Sequence, residues 1–194
     1  AYCSLYKRIK RIMAYTTVNK SSVQFNTKLY SGDGSSSQPQ TGVGFQPDWV
    51  WLKSRNTTDT HALIDSVRGA TKFIRSNANN AEGTDTAGLI SFNTDGFTVG
   101  NSGPYGANGQ NYVAWNWKAG TTSGLSGGTI TPTGYSINTT SGFGIYKYTG
   151  NGTSGATIAH GLGKAPKMII VKRLDSSPEW QVYHTAMGNT KWIE

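Results

Sequence analysis

The chain is poor in cysteine, acidic residues, leucine and alanine, and it has no long apolar run. Its single cysteine, Cys3 in 194 residues, excludes an internal disulfide and any cysteine-based metal site. Stability must then come from apolar burial, from strand pairing, or from a partner chain. No apolar run approaches the roughly 18–20 residues that span a bilayer, which argues against membrane insertion. No apolar segment follows the basic N-terminal residues either, so they do not read as a secretory signal. Ten acidic residues face 18 Lys and Arg, a formal charge of +8, but Lys7, Arg8, Lys10 and Arg11 alone supply four of those charges. From Met13 onward the balance is 14 basic against 10 acidic residues, or +4. A body so weakly charged carries no nucleic-acid footprint.

What the chain does have is turn formers and aromatics. Gly contributes 25 residues, Trp six and Tyr ten, with Ser, Thr and Asn plentiful. Many turn residues between short Val, Ile, Trp and Tyr runs read as all-β. The length suits one domain, or one domain and part of another.

The chain also repeats itself. Gly42-Val43-Gly44-Phe45-Gln46-Pro47-Asp48-Trp49-Val50-Trp51-Leu52-Lys53 returns as Gly161-Leu162-Gly163-Lys164-Ala165-Pro166-Lys167-Met168-Ile169-Ile170-Val171-Lys172. At a constant offset of 119, Gly69, Thr71, Lys72 and Ile74 also meet Gly188, Thr190, Lys191 and Ile193. Tyr30, Gly32 and Gly34 meet Tyr148, Gly150 and Gly152 at offset 118. The second copy breaks off at Glu194, which points to a piece of a longer repeat array or to a stub that completes a neighbouring fold.

Residues 1–27 read as an N-terminal arm and lead-in. The first twelve are either a basic arm that docks on an acidic surface or an extension upstream of a start at Met13. Residues 28–120 form the first repeat. Asp48–Lys53 is too continuously apolar for a one-sided edge strand, and Ala62–Asp65 is the next strand candidate. Lys72–Arg75 alternates as a half-buried strand does. Gly88–Phe92, a Thr94-Asp95-Gly96 turn and Phe97–Val99 read as a hairpin. Asn111–Lys118 alternates, with Tyr112, Ala114 and Asn116 on one face and Val113, Trp115 and Trp117 on the other. The Gly, Ser and Thr-rich stretch 121–143 reads as a linker, and 144–194 begins the second repeat. Short strands with no helical period predict an antiparallel jelly-roll or sandwich fold. Trp49 and Trp51, like Trp115 and Trp117, share a face and are expected in its core. Their replacement by Met168 and Ile170 in the second copy suits packing better than a binding platform.

The chemistry on offer is sparse. Glycoside hydrolysis needs two carboxylates about 5–10 Å apart, but most acids sit beside Gly, Ser or Thr, where Asp shapes turns. His61, His160 and His184 stand apart, with no second ligand at metal spacing. No catalytic residue, metal or cofactor is therefore expected. The loop Asn101–Gly109 is the candidate for a glycan. Sugars are bound by aromatic faces and by Asp or Asn accepting from hydroxyls, and Tyr105 lies there with Asn101, Asn108 and, just upstream, Asp95.

Four stretches, Gly42–Lys53, Asp65–Lys72, Phe92–Gly100 and Tyr112–Gly120, together with Met13-Ala14-Tyr15-Thr16-Thr17-Val18, resemble a repeat module found in structural proteins of tailed, often marine, phages. The resemblance covers about residues 13–194. It implies a concanavalin A-like sandwich used in tandem, in a virion component such as a tail fibre or tail-associated protein. It further implies assembly with copies of itself and with other virion proteins. In that setting the basic arm, with Lys7, Arg8, Lys10 and Arg11, reads from its charge as a virion-docking segment. It brings no catalytic residue. A lectin-like module that binds a host surface glycan, or a capsid decoration protein, is the alternative.

Overall fold

A strand that is apolar along its whole length needs partners on both edges and cover on at least one face. The run at Trp49 has all of these. In the computed structural model, which describes Val18, residues 20–191 and Ile193, strand β3 (Trp49–Ser54) lies inside a four-stranded antiparallel sheet. It sits between β9 (Asn111–Trp117) and β4 (Ala62–Asp65), and β1 (Phe25–Ser31) flanks β9 in the order β1-β9-β3-β4. A second antiparallel sheet joins β2 (Gln38–Thr41), β8 (Gly96–Val99) and β7 (Leu89–Asn93). The short pair β5 (Lys72–Phe73) and β6 (Gly83–Thr84) extends the first sheet through a bridge between Leu63 and Ile74. The chain is thus an all-β antiparallel sandwich.

The core lies between the two larger sheets. Val50, Leu52, Tyr112 and Ala114 from one meet Phe97, Val99 and Leu89 from the other, all at 1 % exposure or less. Strand β9 turns Tyr112, Ala114 and Asn116 inward, and the Asn116 side-chain amide N–H groups donate to the carbonyls of Asn26 and Ala114 at 3.1 and 3.0 Å. Thr94 and Asp95 make the turn of the β7–β8 hairpin, as expected, with Asn93 opposite Gly96. Gly96 has φ +134°, and a Cβ there would collide with the Gln40 carbonyl oxygen, so no other residue fits.

One expectation is corrected, and two strands join those expected. The tryptophans are not core: Trp49, Trp51, Trp115 and Trp117 occupy the outer face of the sheet and are only half-buried. Same-face spacing fixes which residues travel together, but not which face turns inward. Strand β2 escapes a reading of the sequence because its Pro39 argues against a strand; β2 is an edge, where a missing N–H is tolerated. Finally, the stretch read as a linker contains β10 (Gly134–Asn138), which pairs with β11 (Phe143–Lys147).

The second copy supplies one more hairpin, β12 (Met168–Val171) with β13 (Gln181–His184). The buried core of the first unit sets a clear stability contrast. Phe97→Ala should cost about 3–5 kcal/mol, while Leu29→Ala, at a side chain 56 % exposed, should stay within about 0.5 kcal/mol. Urea unfolding midpoints compare the two.

Candidate functional site

The residues proposed for sugar binding do not converge. Asp95 stands at one end of β8 and the Gly100–Gly109 loop at the other, separated by a four-residue strand, about 13 Å at ~3.3 Å per residue. Within the loop, Gly103–Gly106 forms a single helical turn that buries Tyr105, which is 2 % exposed. The Tyr30 hydroxyl donates to the Tyr105 carbonyl at 2.6 Å, and the Tyr112 hydroxyl donates to the Gly103 carbonyl at 2.6 Å. Burial pushes the Tyr105 hydroxyl well above its ordinary pKa, with the nearby Asp85 carboxylate adding to the effect. A ring held this way has no face to offer a pyranose. Asn101 and Asn108 are exposed at the rim of the loop. Asp95 is committed to the backbone, its carboxylate accepting from the Gly42 and Gly44 N–H groups at 2.9 and 2.5 Å. Those bonds, Gly42 first, hold its pKa below the ordinary value. Lys7, Arg8, Lys10 and Arg11 lie outside the described residues.

The histidines are likewise bonded into the structure. His61 Nδ1 accepts from the Trp51 indole N–H at 2.8 Å. Burial, then Lys53, lowers the pKa of His61. His160 and His184 each accept from a backbone N–H two residues on, at 3.1 and 3.2 Å. Among the described residues no three His, Cys, Asp or Glu side chains gather around a common point.

The most developed polar site lies where β10 meets the first unit. Asp48 is 6 % exposed and has no cation on it among the described residues. Its Oδ1 accepts from the hydroxyls of Ser66 and Ser136 at 2.7 and 2.9 Å, and its Oδ2 accepts from the Ala119 N–H at 2.8 Å. A cleft of about 650 Å³ opens beside it, lined by Gln46, Ser66, Lys118, Thr133 and Tyr135 among others. The two serines donate to the carboxylate, and among the described residues no histidine lines the cleft. Each hydrogen bond to a charged group contributes about 1.5–3 kcal/mol, and these three join the residue before β3 to the chain after β4, the chain after β9, and β10. Asp48 acts as a clamp between segments.

The outer aromatic face is the second contact. Trp49 and Trp117 lie 4.6 Å apart, and Phe143 of β11 stacks on Trp49 at 5.8 Å with planes 8° apart. Phe25 reaches Trp117 at 4.8 Å from the other side. A third contact comes from the second hairpin, where the Trp180 indole N–H donates to the carbonyls of Arg75 and Ala78 at 3.1 and 2.9 Å. Asn79 donates to Glu179 at 2.9 Å, and the Glu82 N–H to the Leu174 carbonyl at 2.8 Å.

The hairpin itself reproduces the first unit residue for residue. The pairs Trp49↔Asp65, Val50↔Ile64, Trp51↔Leu63 and Leu52↔Ala62 become Met168↔His184, Ile169↔Tyr183, Ile170↔Val182 and Val171↔Gln181, each shifted by 119. The Leu63–Ile74 bridge returns as Val182–Ile193. Lys53 Nζ donates to the carbonyls of Ser54 and Thr57, and Lys172 Nζ to those of Arg173 and Ser176. Gly42, Gly44 and Gly69 have positive φ, and so do Gly161, Gly163 and Gly188. The surroundings differ. Val50 and Leu52 are fully buried, while Ile169 and Val171 are 43 and 37 % exposed.

These features define an antiparallel β-sandwich chain with a duplicated hairpin. The chain belongs to a family described as a domain of unknown function, DUF7483, whose model matches residues 20–194. No curated protein and no solved structure matches it.

Two expected outcomes follow. Asp48→Ala strands three donors and should cost about 2–4 kcal/mol, with faster amide exchange at β10 while β7 and β8 keep their protection. Asp95 has its folded pKa below its unfolded value of about 3.9, so its contribution is complete above that value and disappears as pH falls through the folded pKa. The acid limb of a melting-temperature profile should therefore be shallower for Asp95→Asn than for the unaltered chain.

Proposed function

We propose that this chain is a non-enzymatic structural protein of a phage particle, a tail fibre or another tail-associated component. It acts in the virion by linking β-sandwich modules to one another, to further copies of itself and to other virion proteins. The observation that carries this reading is the second hairpin, which keeps the register of a core hairpin while leaving its apolar residues uncovered. Four consecutive large apolar side chains, Met168, Ile169, Ile170 and Val171, are between 37 and 55 % exposed. Such a surface on a sheet edge is an association site or an aggregation hazard. The sequence resemblance to phage repeat modules supplies the setting. The bonding of each histidine, of Asp48 and of Asp95 into the fold supports a structural role over a catalytic one.

A lectin-like role has less support, since Tyr105 is buried and Asp95 is occupied by two backbone amides. A capsid decoration protein would use the same module at a different place in the particle.

Light scattering on the purified chain should show oligomers at tens of micromolar, and Ile169→Lys should shift them toward monomer. Immunogold labelling of purified particles should then mark the tail. A clean monomer at all concentrations, together with absence from the particle, overturns the proposal; labelling of the capsid favours decoration.

A further inference from the structure

We infer that the open edge of β12 is a receptor for one added β-strand of the β9 type, contributed by another unit of this same family. The inference rests on the assembly reading in that both use the second hairpin, but it names the occupant, its direction and its register.

The first unit shows the site filled. Strand β3 pairs with β4 on one edge and with β9 on the other, in the antiparallel register Trp49↔Trp117, Val50↔Asn116, Trp51↔Trp115 and Leu52↔Ala114. Strand β12 pairs, among the described residues, with β13 alone. The hydrogen bonds say which groups face which side. In the first unit the Ser66 N–H donates to the Asp48 carbonyl on the β4 side, and the Arg55 N–H donates to the Asn111 carbonyl on the β9 side. Alternation along an antiparallel strand then sends Val50 and Leu52 toward β4 and Trp49 and Trp51 toward β9. In the second unit the Thr185 N–H donates to the Lys167 carbonyl on the β13 side. Ile169 and Val171 thus bond to β13, while Met168 and Ile170 present their backbone N–H and C=O groups at the open edge.

That edge carries none of the usual protections. It has no proline, no bulge and no charge between Lys167 and Lys172. Its inner-face residues, Ile169 and Val171, are counterparts of two fully buried ones. The occupant must therefore place small or amide side chains inward, as Ala114 and Asn116 do opposite Leu52 and Val50, and larger ones outward, as Trp115 and Trp117 do. A second copy of this chain cannot lend its own β9 without unfolding, because that strand is held between β1 and β3. A free β9-type segment fits instead. Two β12 edges meeting each other is the competing arrangement, and the test must separate them.

The unaltered chain is mixed with a synthetic peptide of residues 110–118, and amide exchange is read at single-residue resolution. Exchange at Met168 and Ile170 should slow by about tenfold or more, with Ile169 and Val171 less affected. To remove weak affinity as an explanation, residues 76–120 are also appended after Glu194, the counterpart of Arg75, which brings the strand to an effective concentration near millimolar. Ile170→Pro should abolish the protection in both formats. It removes one donor at the open edge and leaves the β13 ladder intact, so the rest of the exchange pattern should be unchanged. An Ala114→Arg change in the peptide should also abolish it. If Met168 and Ile170 exchange as fast in the extended chain as in the unaltered one, with the first unit still protected, the inference is overturned. If the unaltered chain protects both amides by dimerising without peptide, β12 meets its own copy: strand reception fails and the assembly reading stands. If the peptide docks but the chain is absent from particles, the assembly reading in the virion fails and strand reception stands.

Discussion

The structure depends on the requirement that an interior strand have hydrogen-bonding partners along both edges. Strand β3 meets it in full: β4 and β9 take its backbone groups, Val50 and Leu52 turn into the core, and Asp48 clamps its entry to Ser66, Ala119 and Ser136. Because β3 is held on every side, β1 can sit at the sheet margin and the second sheet has a fixed surface to pack on. Among the described residues the same strand in the second copy has one partner instead of two, and its inner residues reach solvent. One pattern of backbone thus gives a closed core in one setting and an open surface in the other.

What the two copies share and what they change separates backbone instruction from side-chain chemistry. Retained are the glycines with positive φ, the proline before the strand, and the lysine that folds back on the following carbonyls. Changed are the side chains that made local bonds. Asp48 is replaced by Lys167, so the clamp has no second version. Asp65 and Arg68, an ion pair buried beside Glu82 in the first unit, are replaced by His184 and Met187. His61, an acceptor for the Trp51 indole, is replaced by Trp180, which donates to the first unit. A position that closes one hairpin on itself ties the other to its neighbour.

Much of the fold was legible because its signals are local. Continuous apolar character gave β3 and β4 almost to the residue, the Thr94-Asp95-Gly96 turn gave the β7–β8 hairpin, and alternation gave β9. The 119-residue offset also anticipated a shared hairpin geometry. The losses have a common cause, which is that they depend on distant neighbours. Trp115 and Trp117 are bulkier than Ala114 and Asn116, so bulk alone points the wrong way; the choice of face was set by Tyr112 and by the sheet packed above it. Tyr105 sits among Gly and Asn, the signature of an exposed loop, yet hydroxyls from Tyr30 and Tyr112 pull the loop onto the core. Strand β10 is rich in turn formers and pairs only because β11 returns beside it. The glycan candidates lie apart for the same reason, since composition describes a loop and not its direction.

The chain that follows β9 is fixed to the first unit at two separated places. At one, Ser136 reaches Asp48 and Phe143 lies on Trp49; at the other, Trp180 sits on the carbonyls of Arg75 and Ala78. A single attachment would leave a pivot, whereas two resist torque about either. Bending applied to this molecule would have to break aromatic stacking or an indole bond before the modules could swing, giving the pair the stiffness of a braced joint rather than that of beads on a string.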